Sequence, residues 1–521
     1  MQAEHSAEHI AEHIDVLILG AGISGIGAAC HLTRQCPDKQ YAILERRNAI
    51  GGTWDLFRYP GIRSDSDMYT FGFNFKPWTE PKILADGPSI KKYVQETAKE
   101  YGVDRHIRFG IKVTAASWSS EDGYWTLTAQ REESGEPLRY TCNFLLGCTG
   151  YYNYDAGYQP KFPGQDQFEG QLIHPQHWPE NLDYNGKRVV VIGSGATAIT
   201  LVPSMAGKAA HVTMLQRSPT YIMSLPAIDP LSSRLQRFLP DMLVYRIART
   251  RNINLQRFLY NLSKRRPKLV RRLLLAGVRR QLGKNADMRH FTPSYNPWDE
   301  RLCVVPNADL FKAIRKGQAS VATDQIETFT RTGIKLRSGE ELPADIIVSA
   351  TGLNVQLLGG VRVEVDGKRY APSDSLTYKG VLVEGVPNAA IVIGYTNASW
   401  TLKADIASEY VCRLLQYMDK KGYTQVVPFD ADNSRTEDTV MGGLNSGYIR
   451  RALDQLPKQG TKRPWKIVQD YVRDVPILRY GAIEDEALRF SSKQPRAESR
   501  PVERPARPAR GKAAQVASET L

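Results

Sequence analysis

Residues 15–25 read Asp-Val-Leu-Ile-Leu-Gly-Ala-Gly-Ile-Ser-Gly. Residues 15–20, an apolar run closed by Gly20, predict a buried strand of a parallel sheet. Gly20-Ala-Gly22-Ile-Ser-Gly25 is a GxGxxG turn, and an Ala-rich helical stretch follows it. Residues 41–45 (Tyr-Ala-Ile-Leu-Glu) predict the second strand, which completes a βαβ unit. In such a unit Gly20 permits the tight turn, Gly22 lets the backbone approach a pyrophosphate, and Gly25 packs helix on strand. The helix N-terminus then offers free N–H groups and partial positive charge to phosphates. Glu45 ends the second strand, where an acid accepts hydrogen bonds from a ribose diol and repels a 2′-phosphate. A glycine turn alone is compatible with a ligand-free loop. Strand, turn, helix and acid together point to FAD.

A second unit repeats the grammar with the opposite charge. The strand 188–193 (RVVVIG) opens the turn Gly193-Ser194-Gly195-Ala196-Thr197-Ala198, a GxGxxA pattern, and a helix and the strand 211–217 follow. That strand ends in Arg217-Ser218. A guanidinium forks onto phosphate oxygens, so the expected ligand is NADPH with its 2′-phosphate. The fold class expected is therefore α/β, with two Rossmann-like dinucleotide-binding domains and a helical insertion.

The composition agrees. The 521 residues exceed what one core holds, and 42% hydrophobic with 24% charged residues is globular, which excludes wholesale disorder and a fibrous fold. No apolar run reaches the ~20 residues of a membrane span. The N-terminus, MQAEHSAEHIAEHID, lacks the basic region of a secretory signal. His5, His9 and His13 would share one helical face there. A frayed, solvated extension is the better reading than a metal site, and no metal is expected. Six cysteines without a CxxC pair suit a reducing cytosol.

The net charge of +14 is local. Residues 231–290 hold sixteen Lys/Arg against Asp241 and Asp287. Nucleic-acid binding is not expected, since no reader motif accompanies the charge. Arg265, Arg266, Arg271, Arg272, Arg279 and Arg280 interleave with Leu269, Leu273, Leu274, Leu275 and Val278. Two readings stand: a helical lid with a solvated charged face, or peripheral attachment to an anionic membrane surface. The expected organisation is an extension over 1–13, an FAD domain in two parts (14–160 and 353–490), an NADPH domain over 161–352 with the basic insertion at about 226–298, and a basic, Pro-rich, disordered tail over 491–521.

Disulfide reductases also carry two nucleotide units, but they need a cysteine pair after the first. No cysteine lies between Cys36 and Cys142. Oxygen is then the obvious oxidant. Between the units lies Phe168-Glu-Gly170-Gln-Leu-Ile-His174-Pro-Gln-His-Trp178-Pro179. Read by itself it is a linker in which a lone His is structural.

This FxGxxxHxxxWP string resembles the fingerprint of type I Baeyer–Villiger monooxygenases. Related flavin-containing and N-hydroxylating enzymes usually carry Tyr or Phe near the Trp178 position. The similarity extends through GGTWDLFRYPGIRSDSDMYT (51–70), YYNYDAGY (151–158), YNPWDERLCVVPN (295–307) and GYTNASWTLKAD (394–405), and covers about residues 14–490. The resemblance implies FAD, NADPH and dioxygen acting on a small-molecule ketone through a C4a-peroxyflavin to give esters or lactones, with thioether or thioamide S-oxygenation as a side activity. Two alternatives stay open: a monooxygenase of soft sulfur and nitrogen only, and a non-catalytic nucleotide-binding protein at a membrane surface.

The resemblance also implies roles. Ser24 and the glycines of the first turn hold the FAD pyrophosphate, and Glu45 the adenosine ribose. Thr53, Trp54, Asp55 and Leu56 line the flavin side, and Val113 meets adenine through its main chain. Arg63, Ser64 and Asp65 lie where flavin meets nicotinamide. Gly193 to Ala198, with Arg217 and Ser218, hold NADPH. Arg301 is the active-site cation that stabilises developing negative charge, and Asp65 positions it. A surface ion pair of Arg301 with Glu300 is the competing reading. Glu300 itself departs from the family, where Lys often precedes this Arg and helps hold the 2′-phosphate. His174 couples the domains, and Ala350-Thr351-Gly352 resembles a second interdomain linker. Met441 and Leu444 belong to the expected substrate walls.

Overall fold

The computed structural model describes residues 12–284, 286–300, 302–442 and 446–492. The first strand, Glu12–Leu19, runs parallel between Tyr41–Leu44 and Pro137–Gly147, with Val16 level with Tyr41 on one side and Phe144 on the other. Val16 and Ile18 enter one core and Leu17 and Leu19 another, so both faces are buried, which explains why its sequence is apolar without alternation. The same sheet continues antiparallel through Tyr124–Arg131 to Ile111–Ser119, the two strands that flank the turn around Gly123. Late segments return to it: Arg362–Val365 pairs parallel with Ile111–Ser119, and Ala389–Ile391 with Pro137–Gly147.

The helix Ile23–Gln35 packs on this sheet against the long helix Trp400–Lys421, sharing a core of Ile26, Ala29, Ile406 and Val411. A polar seam crosses it, where His31 Nε2 lies 3.4 Å from buried Asp405.

The second sheet is wholly parallel. Its order is Ala319–Thr323, His211–Gln216, Arg188–Ile192, Ile346–Ser349, Gln171–Ile173. Helix Ala196–Met205 covers one face and buries Ile199, Leu201 and Val202 against Val189 and Val191.

Between His211–Gln216 and Cys303–Pro306 stand the helices Pro230–Leu235, Asp241–Arg265 and Pro267–Leu282. Their charge is not all solvated. Arg249 is buried, and its Nη1 donates to the carbonyls of Tyr69 and Gly72, each at 2.8 Å. This clamps the basic segment to the first unit.

Two expectations need correction. The first strand begins at Glu12, so the extension is shorter than 1–13. His13 sits in that strand rather than on a helix, with Nδ1 2.9 Å from Thr141 Oγ1 and Nε2 3.1 Å from Asn143 Oδ1. Pairing with Pro137–Gly147 outweighs the local Ala-Glu-His propensity. The stretch 341–349 serves two sheets. Glu341–Pro343 belongs to a small antiparallel sheet and only Ile346–Ser349 enters the parallel one. His5, His9, Arg301, Leu444 and the tail from 493 lie outside the described residues. Among the described residues all six cysteines are free and buried, and no group of three His, Cys, Asp or Glu could hold a metal ion.

Candidate nucleotide and active site

Both glycine turns open on one cavity of about 960 Å³. The two turns are built alike. Gly20 and Gly193 take φ of 99° and 135°, where a side chain is strained. A Cβ would also stand 2.9 Å from Cys148 O at the first and 2.4 Å from Ala350 O at the second. Gly25 is stricter still, because a Cβ there would lie 1.9 Å from Gly20 O. Its counterpart Ala198 is fully buried.

Glu45 lies at the cavity wall beyond the end of its strand and is 5% exposed. Its Oε2 accepts from Ala21 N at 2.6 Å and its Oε1 from Arg47 N at 2.8 Å. Burial pushes its carboxyl upward despite these bonds. Arg217 and Ser218 are exposed at the other end of the same cavity. Ser194 Oγ donates to Ser218 O at 3.1 Å, which ties the second turn to the end of its strand.

The wall between these ends comes from Gly22, Ser24, Thr53, Trp54, Arg63, Ser64, Asp65, Val113, Gly193, Gly195, Ala196 and Thr197. Trp400 Nε1 donates to Ser24 Oγ at 2.7 Å. Tyr59 hydrogen-bonds Thr197, joining the loop of the first unit to the second turn, and burial pushes its phenol up to about 12. Arg63 Nη1 donates to Asp309 Oδ2 at 2.7 Å, while its Nη2 is buried with no hydrogen-bond partner. A buried orphan guanidinium donor at a cavity wall is a ligand-ready group. A Cβ at Gly195 would meet nothing within 4 Å, so the second turn faces open space on its phosphate side. These features fit two dinucleotides laid end to end.

Five predicted residues do not line the cavity. Met441, expected in the substrate wall, is buried in a core with Val440 and Ile449. Gly25 and Ala198 pack their helices. Leu56 is buried in the core of the second sheet. Asp55 is buried and accepts from Lys91 Nζ at 2.6 Å and Arg47 Nε at 2.8 Å. Burial raises its carboxyl, but the two cations outweigh that and hold it below the usual range.

The residues of the linker fingerprint stand behind the site. Phe168 meets Phe329 edge-on at 6.2 Å. A Cβ at Gly170 would overlap the Phe168 ring and Asp345 O. Trp178 packs on the second core, and Pro179 O accepts from Leu182 N at 3.3 Å in a turn. His174 lies over Gly157, its Nε2 is 3.3 Å from Gly352 O, and its Nδ1 accepts from Gln176 N at 3.2 Å. It therefore joins the outgoing linker to the returning one.

Arg301 has described neighbours on both sides. Glu300 and Cys303 line the cavity. Sequence reasoning missed several wall residues, notably Tyr154, Trp400 and Arg451. Two of them stand in stretches that carried the family resemblance, yet an aromatic residue is usually core. Arg451, whose guanidinium lies 3.5 Å from the Tyr158 ring centroid, had no signal.

Two glycine-turn nucleotide units of opposite charge opening on one cavity define a two-nucleotide oxidoreductase. The flavin-binding monooxygenase-like family model matches residues 13–359, and the chain belongs to that family; it is a flavoprotein monooxygenase. It is 59% identical over 482 residues to the putative FAD-containing monooxygenase MymA of Mycobacterium tuberculosis H37Rv, covering 92% of this chain and 97% of that protein. It is 57% identical over 481 residues to the probable FAD-binding monooxygenase AlmA of Acinetobacter baylyi, with 92% and 96% covered. The FAD-containing monooxygenase EthA of M. tuberculosis H37Rv is 54% identical over 482 residues, with 92% and 98% covered. Among solved structures, an oxidized steroid monooxygenase bound to NADP superposes with a TM-score of 0.72 at 21% identity, covering 92% of this chain and all of that one. At that identity the likeness is one of fold.

Proposed function

We propose that this chain is an FAD-containing, NADPH- and dioxygen-dependent monooxygenase of the Baeyer–Villiger type. It converts ketones to esters or lactones and oxygenates thioethers and thioamides as a side activity. The observation that carries this reading is the single cavity with a buried acid at one end and an exposed cation at the other. The first turn and Glu45 would hold FAD, with residues 14–160 and 353–490 as its domain. The second turn and Arg217 would hold NADPH through its 2′-phosphate, within residues 161–352. Support comes from the relatives, named as FAD-containing or FAD-binding monooxygenases, and from the structural neighbours, which include a steroid monooxygenase bound to NADP and a cyclohexanone monooxygenase.

The bound flavin supplies hydride acceptance and oxygen activation. The protein supplies position and field. Asp309 fixes Arg63 at the cavity wall, with its second nitrogen buried and unpaired. Arg301 would supply a permanent cation for developing negative charge, since a guanidinium keeps its proton at any working pH. Asp65 would position it. Tyr59 and Trp400 hold the two turns and their helices in register.

The test is a product assay on purified protein with NADPH, labelled dioxygen, aryl and alkyl methyl ketones, and a thioether. One labelled oxygen in an ester is the expected result. Sulfoxide without ester would replace the ketone chemistry by oxygenation of soft nucleophiles, and peroxide alone would overturn both. Arg301→Ala should lower ester formation by about a hundredfold or more while NADPH is still consumed.

A further inference from the structure

The basic helices present a face that the monooxygenase reaction does not use. Fifteen large hydrophobic side chains are exposed among the described residues, and ten of them fall within residues 228–273. Scattered exposed apolar residues are ordinary, but such concentration marks an interaction surface. On Pro267–Leu282, Val278 and Leu282 point inward. Leu269 and Leu273, four residues apart and so on one side of the helix, are 47% and 60% exposed. On Asp241–Arg265, Leu243 and Ile247 repeat the spacing, and Phe258 is 61% exposed.

Among the described residues the exposed cations of this face form no ion pair. Lys268, Arg272, Arg279 and Arg280 are exposed on the same helix as Leu269 and Leu273. The segment's acidic contacts are made by other residues: Arg251 with Asp229, Arg257 with Asp470, Lys264 with Asp299 and Arg289 with Asp287. The face is also held rigidly, because buried Arg249 anchors its helix to the carbonyls of Tyr69 and Gly72.

We propose that this face docks peripherally on an anionic lipid bilayer. Leucine and phenylalanine side chains enter the boundary between headgroups and acyl chains, while the arginines lie at the level of lipid phosphates. Charge complementarity selects an anionic surface, and the exposed apolar side chains select a bilayer over nucleic acid, whose backbone offers them nothing. None of the described helices is long and apolar enough to cross a membrane, so contact is at the surface.

Sedimentation of the full-length holoenzyme with vesicles tests this. Binding to phosphatidylglycerol vesicles and not to phosphatidylcholine is expected. Arg272→Gln, Arg279→Gln and Arg280→Gln together should lower partitioning about a hundredfold, at about fivefold per cation. Phe258→Ser, Leu269→Ser and Leu273→Ser together should abolish it even at low salt. Flavin absorbance and NADPH oxidation in vesicle-free buffer, unchanged in both variants, report an intact fold. Three results would overturn the proposal: no binding to phosphatidylglycerol at low salt, binding that survives the three serines, or tighter binding to duplex DNA than to vesicles.

Discussion

The two glycine turns share a trace and differ in finish. At the first, Glu45 is buried and already holds the amides of Ala21 and Arg47. At the second, Arg217 is exposed, and the turn is tied to the strand end by a single side-chain bond from Ser194 to Ser218. The third turn position is a glycine with no room for a methyl group at the first site and a buried alanine at the second. A preorganised, desolvated acid suits a ligand that stays. A solvated cation pays less to let its ligand go, which suits a cofactor that must exchange every cycle.

Substitutions break this comparison in order of size. Gly25→Val forces a side chain against Gly20 O, and should cost at least about 3 kcal/mol and yield colourless protein without FAD. Ala198→Gly at the matching position should leave flavin absorbance intact. Glu45→Ala strands two buried amides, and loss of charge-assisted bonds worth about 1.5–3 kcal/mol should weaken FAD retention about 10- to 100-fold, read by flavin release on dilution. Arg217→Ala should raise the KM for NADPH about tenfold or more and leave that for NADH and the flavin spectrum unchanged. Glu300→Lys should move NADPH affinity the other way, about fivefold, through one added cation at the cavity wall.

The smallest effect concerns the linkers. Burial lowers the pKa of His174 from its ordinary value of 6.5. Below that ordinary value the unfolded chain binds the proton first, so the stability this neutral ring contributes is lost as pH falls through 6.5 toward its lowered folded value. His174→Asn cannot titrate. The difference in melting temperature between the two proteins should therefore narrow between about pH 7.5 and about pH 5.5. A constant difference would show that only the bond to Gly352 O matters.

Much of the first site was legible because it is local. Strand, turn, helix and Glu45 fall within about thirty residues, and each step follows from hydrophobic period, glycine placement and charge. The second turn reads the same way. What escaped was long-range. Trp400 reaches Ser24 across 376 positions, and Arg63 meets Asp309 across 246. No period or motif joins such pairs. Asp55 sat in a stretch that resembles a flavin wall, but Lys91 and Arg47 hold it inside the protein. His13 looked helical by repeat and became a strand residue because Thr141 and Asn143 stand beside it.

By itself the sequence determined that two nucleotide units exist and which charge each presents, since both depend on contacts a few residues apart. Only the tertiary structure decided that they face one cavity, and which side chains turn into it. It also decided that Arg249 is clamped inside the basic segment while Leu269, Leu273 and their arginines face outward. Burial is a property of what packs against a residue, and the residues that pack here come from hundreds of positions away.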